Sequence, residues 1–195
     1  MADQQWLDIL LSRNATFRKQ IDPKVLPVAR TPGRVGLITC IDPRVNLDAL
    51  GIEPFDQNGG GKSDVRVIRT IGAMAENRSL IVGIHLAGIR EFAVVMHTDC
   101  GNCLAKQRIN KITDSLEGSM DMEEYRHFRA KVGEPWPASL VDYLKAFDDP
   151  KEAVKREVAS IRAKTIVPRN VILHGLVYTL DTGQLEVVVN GYERS

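Results

Sequence analysis

Apolar residues recur along the chain in short blocks separated by polar, Gly- and Pro-containing stretches. Trp6, Leu7, Ile9, Leu10, Leu11 and Phe17 lie among charges and predict an amphipathic helix. It belongs to an arm over residues 1–30 that reaches out to pack on a partner subunit. Asp22-Pro23, Pro27 and Thr31-Pro32-Gly33 break it. Val35 to Thr39 is a continuous apolar run with β-branched residues, the signature of a buried strand. Asn46 to Leu50 gives one or two helical turns closed by Gly51, and residues 56–64 form a Gly-rich loop. Val65 to Arg69 alternates as a second strand. Glu76 to Gly88 has helical content, and Phe92 to Met96 is a third buried strand.

The second half repeats this alternation. A helix is predicted over Leu104 to Leu116, while Glu117 to Pro137 is polar and broken by Gly118, Gly133, Pro135 and Pro137. Pro150 to Lys164 reads as a helix, with Pro at its start and Ala153, Val154, Val158 and Ile161 at helical spacing. Val171 to Tyr178 and Leu185 to Val189 flank the turn Asp181-Thr-Gly183, which makes them a strand and an edge hairpin partner. Strands alternating with helices predict an α/β fold: a mainly parallel central sheet flanked by helices, with an antiparallel edge strand. A length of 195 residues fits one domain spanning residues 1–195. Such a domain buries roughly 70% of its unfolded surface without staples.

Charge narrows the partners. Lys plus Arg is 26 and Asp plus Glu is 25, a net charge of +1, which gives no reason to invoke nucleic acid or an anionic membrane. No apolar stretch approaches the roughly 20 residues of a membrane helix, and no secretory signal stands at the N-terminus. Three cysteines, unevenly spaced, argue against a disulfide framework and for a reducing cytoplasm.

The cysteines also carry the chemistry. Cys40 follows the first predicted strand; His97 and Cys100 follow the third. In open parallel sheets, functional groups gather beyond the carboxyl ends of the strands. Two thiolates and an imidazole form a soft set that suits zinc, and three protein ligands leave the fourth tetrahedral position open. Asp42 and Arg44 lie two and four residues beyond Cys40. Asp42 can ligate zinc or hydrogen-bond a zinc-bound water, and Arg44 can hold it in the second role by a bidentate pair. The second arrangement orients a metal-activated hydroxide and describes a hydrolase or hydratase.

Cys40-Ile-Asp42-Pro-Arg44 followed by His97-Thr-Asp-Cys100-Gly101 resembles the zinc and dyad signature of the β-class carbonic anhydrases. Val67-Ile-Arg69 and Ser79-Leu80 fall where that family has similar residues. The resemblance covers residues 30–115 well and the 150–189 stretch more loosely. It implies zinc bound by Cys40, His97 and Cys100, a catalytic dyad of Asp42 and Arg44, and an obligate homodimer or higher homo-oligomer. The implied reaction is reversible hydration of carbon dioxide to bicarbonate by a zinc-bound hydroxide. Where the family has Arg-Asn-Ala-Gly, this chain has Arg69-Thr70-Ile71-Gly72, a change in the pocket wall that bears on substrate preference. Hydrolases of carbonyl sulfide and carbon disulfide share the scaffold and are the nearest alternative. A non-catalytic zinc-binding protein is the alternative of another class.

Other motifs yield to simpler readings. Cys100-Gly-Asn-Cys103 matches the C-x-x-C of thiol oxidoreductases but leaves Cys40 and His97 unexplained. Gly61-Lys62-Ser63 lacks the earlier glycine of a phosphate loop and precedes a strand. His85 reads as packed core, residues 121–131 as a solvated helix face, and Asp99 as a surface acid or a residue that positions its loop. Arg69 is open to a structural or a functional role. His127 and His174 have no partner identifiable from sequence.

Overall fold

The computed structural model describes residues 6–20, 34–50, 52 and 65–193. Five strands form one sheet in the order β2-β1-β3-β4-β5: β1 Val35–Cys40, β2 Val65–Thr70, β3 Glu91–His97, β4 Ile172–Tyr178 and β5 Leu185–Val189. The first four neighbours run parallel and β5 is antiparallel to β4. The continuous apolar runs are thereby explained. In β1, every residue from Gly36 to Cys40 is buried, because a parallel strand is covered on both faces. The fold class read from the sequence stands.

Strand order fixes where a site can form. The chain leaves β1 for β2 on one side, then crosses back to β3 on the other. Their carboxyl ends therefore diverge at a point where the winding reverses, the place at which open α/β sheets bind ligands. Thr39 lies opposite Val95, so Cys40 and His97 emerge at the same end of the sheet.

Helix α7, Pro150–Arg162, packs against β3, β4 and β5. Its register follows from Ala153, Val154, Val158 and Ile161, all buried, and Asp149 caps it by accepting from the Lys151 N–H at 2.8 Å. A Cβ on Gly175 of β4 would sit 3.2 Å from methyls of both Val154 and Val158, so the small residue lets the helix approach closely.

Several helices differ from the sequence pattern. The 76–88 region is a short helix, α2 Asn77–Ile81, that widens into a π turn over Val82–Leu86. The 104–116 region is two helices, α3 Gly101–Gln107 and α4 Ile109–Ser119, parted by the non-helical backbone of Arg108. The stretch read as broken forms α5, Met122–Val132, capped by Asp121 and ended by Gly133 at φ 103°. Tyr125, Phe128, Trp136 and Tyr143, the last on α6 (Ala138–Tyr143), then meet edge to face at 6.0–6.3 Å between rings. The helix face read over 121–131 is thus present and largely solvated, but aromatic packing draws Tyr125 into the interior.

The N-terminal helix α1 spans Trp6–Gln20, and no residue of it is buried. Its apolar residues gather in the first two turns, where Trp6, Leu7, Leu10 and Leu11 are all exposed, and Phe17 adds one more further along. The Pro breaks at 22–33, Gly51, and the loop at 56–64 with Gly61-Lys62-Ser63 lie outside the described residues. Among the described residues no helix is long and apolar enough to cross a membrane.

Candidate metal centre

Cys40 ends β1, His97 ends β3, and Cys100 caps α3, three residues further on. All three side chains are buried, and their ligand atoms lie within 4.8 Å of one another. The Cys40 and Cys100 sulfurs stand 3.9 Å apart. Two thiolates each about 2.3 Å from a tetrahedral zinc would stand about 3.8 Å apart. His97 supplies the decisive sign of fit. Its Nδ1 lies 2.8 Å from the Thr98 carbonyl, which fixes the proton there. Nε2 is then a bare lone pair, and it is the buried side-chain polar atom without a hydrogen-bond partner among the described residues. An orphaned buried acceptor beside two thiols costs stability unless something electrophilic meets it. The donor set fits zinc.

The thiols differ in acidity. Cys40 is held well below the ordinary thiol range, chiefly because Cys100 donates to its sulfur, against the opposing effect of burial. Cys100 is pushed up by that same hydrogen bond and by burial. Cys103 does not join them: its sulfur faces the Asp148 carbonyl at 3.5 Å.

Asp42 and Arg44 adjoin the centre. Arg44 donates to Asp42 from its main-chain N–H and from Nε, both to Oδ1, at 2.9 and 3.0 Å, and from Nη2 to Oδ2 at 2.7 Å. Those hydrogen bonds lower the Asp42 pKa to about 2 and raise that of Arg44. Asp42 Oδ2 lies 4.0 Å from His97 Nε2, facing the cluster. The loop bearing the pair is anchored by Arg69 of β2, which donates to the carbonyls of Cys40, Asp42 and Val45 at 2.9, 3.3 and 2.9 Å. Arg69 is thus a clamp on the loop backbone.

The structure also shows what the sequence concealed. Arg44 reaches across to Asp99, with Nη1 2.6 Å from Oδ2 and Nη2 2.9 Å from the main-chain oxygen. The two residues are 55 positions apart, so only the folded sheet brings them together. His85 departs from expectation: it is exposed, its ring 2.8 Å from the Ile166 carbonyl. His127 is exposed on α5, and His174 lies within the sheet, 3.1 Å from Glu91.

Comparison with known proteins meets this geometry from the other side. The carbonic anhydrase family model matches residues 35–185, the whole span from β1 to the start of β5. The chain belongs to the β-carbonic anhydrase family. Among its relatives, YtiB of Bacillus subtilis (strain 168), provisionally named a carbonic anhydrase, is 27% identical over 193 residues. That match covers 95% of this chain and 97% of YtiB. The carbon disulfide hydrolase of Acidianus sp. (strain A1-3) is 28% identical over 167 residues, 78% of this chain and 76% of that one. The crystal structure of β-carbonic anhydrase isoform I from Trichomonas vaginalis superposes with a TM-score of 0.76 at 25% identity. It covers 97% of this chain and 100% of that chain. β-Carbonic anhydrases are zinc enzymes, and the Cys40–His97–Cys100 cluster of this member can hold such an ion.

Proposed function

We propose that this β-carbonic anhydrase hydrates carbon dioxide reversibly to bicarbonate, with zinc held by Cys40, His97 and Cys100 and with Asp42 and Arg44 as the catalytic pair. The orphaned His97 Nε2, aimed at two buried thiols beside an ionised carboxylate, carries the reading. Zinc bound by these residues would supply a water acidic enough to act as nucleophile near neutral pH, its pKa lowered from that of bulk water towards about 7.

The chain's own groups do the rest. Both lone-pair directions of Asp42 Oδ1 are taken by Arg44, while Oδ2, bound chiefly to Nη2, faces the centre. Oδ2 is therefore the acceptor for the reacting water, fixing its direction of attack. Arg44 keeps Asp42 ionised and off the ligand set. As the carbon–oxygen bond forms, one C=O electron pair moves onto the substrate oxygen to give bicarbonate, and the water's proton leaves to buffer. A purely structural zinc site closes with a fourth Cys or His; here the cluster has three such ligands with an acid–base pair beside them.

A second reading, hydrolysis of carbonyl sulfide or carbon disulfide, is favoured by one feature. Ile71, at the position where the resemblance leads one to expect alanine, is a larger apolar residue directly after β2 and stands 45% exposed. The Acidianus relative carries that activity in its name.

The chain is further read as a homo-oligomer, at least a dimer, through the exposed apolar turns of α1. A cytoplasmic setting suits it, because free thiols are what the metal requires. Stopped-flow hydration of carbon dioxide tests the function. Turnover by the zinc-loaded protein, lost on chelation and regained with zinc, is expected; a zinc-loaded protein without hydration activity would overturn it.

A further inference from the structure

Asp99 stands between two members of the cluster, His97 and Cys100, in a left-handed backbone conformation at φ 52°. Few non-glycine residues are held there, and Asp and Asn tolerate it best. Both its carboxylate and its main-chain oxygen meet Arg44, at Nη1 and Nη2, 2.6 and 2.9 Å away. The other edge of the guanidinium, Nε and Nη2, is on Asp42. Arg44 is gripped from both sides.

The two grips are not equivalent. Asp42 and Arg44 sit two residues apart on one loop after β1 whose backbone Arg69 clamps, so their mutual pairing leaves both side chains free to turn together on that backbone. Asp99 belongs to the turn after β3, and its neighbour Thr98 is tied to β4. The Thr98 N–H donates to the Tyr178 carbonyl at 3.0 Å, and the Thr98 hydroxyl accepts from Leu180 N–H at 3.1 Å. Among the described residues, Asp99 alone refers Arg44 to the element that bears His97 and Cys100.

We infer that Asp99 is a positioning residue: acting through Arg44, it sets the distance of the Asp42 carboxylate from the metal centre and keeps it from swinging onto the ion. The inference rests on the reading of Asp42 and Arg44 given above. The Asp99 carboxylate is 82% exposed, so the ion pair contributes little to stability in itself. Its effect is orientation, and misplacement of a reacting group by about 1 Å can cost about 10²-fold in rate. A surface acid that merely shaped the turn would affect folding and metal retention, not kcat.

Asp99→Gly isolates the carboxylate, because glycine adopts the left-handed turn without strain. Asp99→Asn keeps an acceptor oxygen and removes the charge. Both full-length variants, Arg44→Ala and the Arg44→Ala/Asp99→Gly double variant are compared with wild type, zinc-loaded for kinetics and cobalt-substituted for visible absorption. Asp99→Gly should keep one metal per chain and its KM while kcat falls about tenfold, a part of the cost of full misplacement. Its cobalt bands should shift in the direction seen for Arg44→Ala, reporting a new oxygen ligand. Asp99→Asn should recover part of the rate, and Asp99→Gly should change nothing further once Arg44 is alanine. Wild-type kcat and spectrum in Asp99→Gly, beside an inactive Arg44→Ala, overturn the inference alone. Loss of metal from Asp99→Gly also overturns it, assigning the residue to the turn's fold. Wild-type turnover in Arg44→Ala would remove the reading of the pair, and the inference with it.

Discussion

The Arg44 guanidinium meets the Asp42 carboxylate edge to edge, Nε 3.0 Å from Oδ1 and Nη2 2.7 Å from Oδ2. This bidentate pairing lowers the acid's pKa to about 2 and so keeps it ionised at neutral pH. Arg44→Ala should therefore retain fold and zinc yet lose activity by about 10² or more, the scale of a displaced acid–base group. Arg44→Lys restores charge without the two-pronged geometry and should rescue only part. Metal analysis paired with stopped-flow rates checks this; wild-type turnover in a zinc-replete Arg44→Ala contradicts it.

Zinc retention separates the two cysteines of the C-x-x-C run. Purified protein should carry close to one zinc per chain. Cys100→Ser should lose most of it, whereas Cys103→Ser should keep it, since the Cys103 sulfur faces the Asp148 carbonyl. The reverse pattern in metal analysis would refute the ligand assignment.

The arm should matter to assembly. Trp6, Leu7, Leu10, Leu11 and Phe17 are 44–63% exposed along α1, an apolar face that a second copy can cover. Light scattering should find a dimer or larger species at micromolar concentration, and deletion of residues 1–20 should weaken it. A full-length chain that is a stable monomer would count against this.

Packing beneath the site is tight at one glycine. Gly36 of β1 lies opposite Phe92 of β3, and a Cβ there would overlap the buried Phe92 ring. Gly36→Ala should destabilise the protein by about 1–3 kcal/mol, the usual cost of overpacking a core. Urea unfolding of the zinc-loaded protein measures it, and an unchanged midpoint would show that the ring has room to turn.

The strands and the clustering of Cys40, His97 and Cys100 were legible in the sequence because their signals are local. A buried parallel strand writes itself as an apolar run; Cys40 and His97 each stand at the end of one, with Cys100 three residues beyond. The helix of α5 was visible as a polar face over 121–131, but the burial of Tyr125 was not, since it depends on Trp136, which lies beyond the Gly133 and Pro135 breaks. The break at Arg108 left no mark, because both flanking segments are helix-forming. The Arg44–Asp99 contact was beyond reach for a different reason: it joins residues from two strand ends and depends on a left-handed turn that composition does not announce. From sequence, Asp99 is either a surface acid or a residue that positions its loop; its partner Arg44 is visible only in the fold.

Substrate choice tests the account most directly. Stopped-flow turnover of carbon dioxide, carbonyl sulfide and carbon disulfide should be compared on one zinc-loaded preparation, with Asp42→Asn as control. Fast hydration of carbon dioxide, slow or absent turnover of the sulfur compounds, and a rate lost in Asp42→Asn while zinc stays bound are expected. Faster hydrolysis of either sulfur compound, or undiminished carbon dioxide hydration in Asp42→Asn, would contradict it.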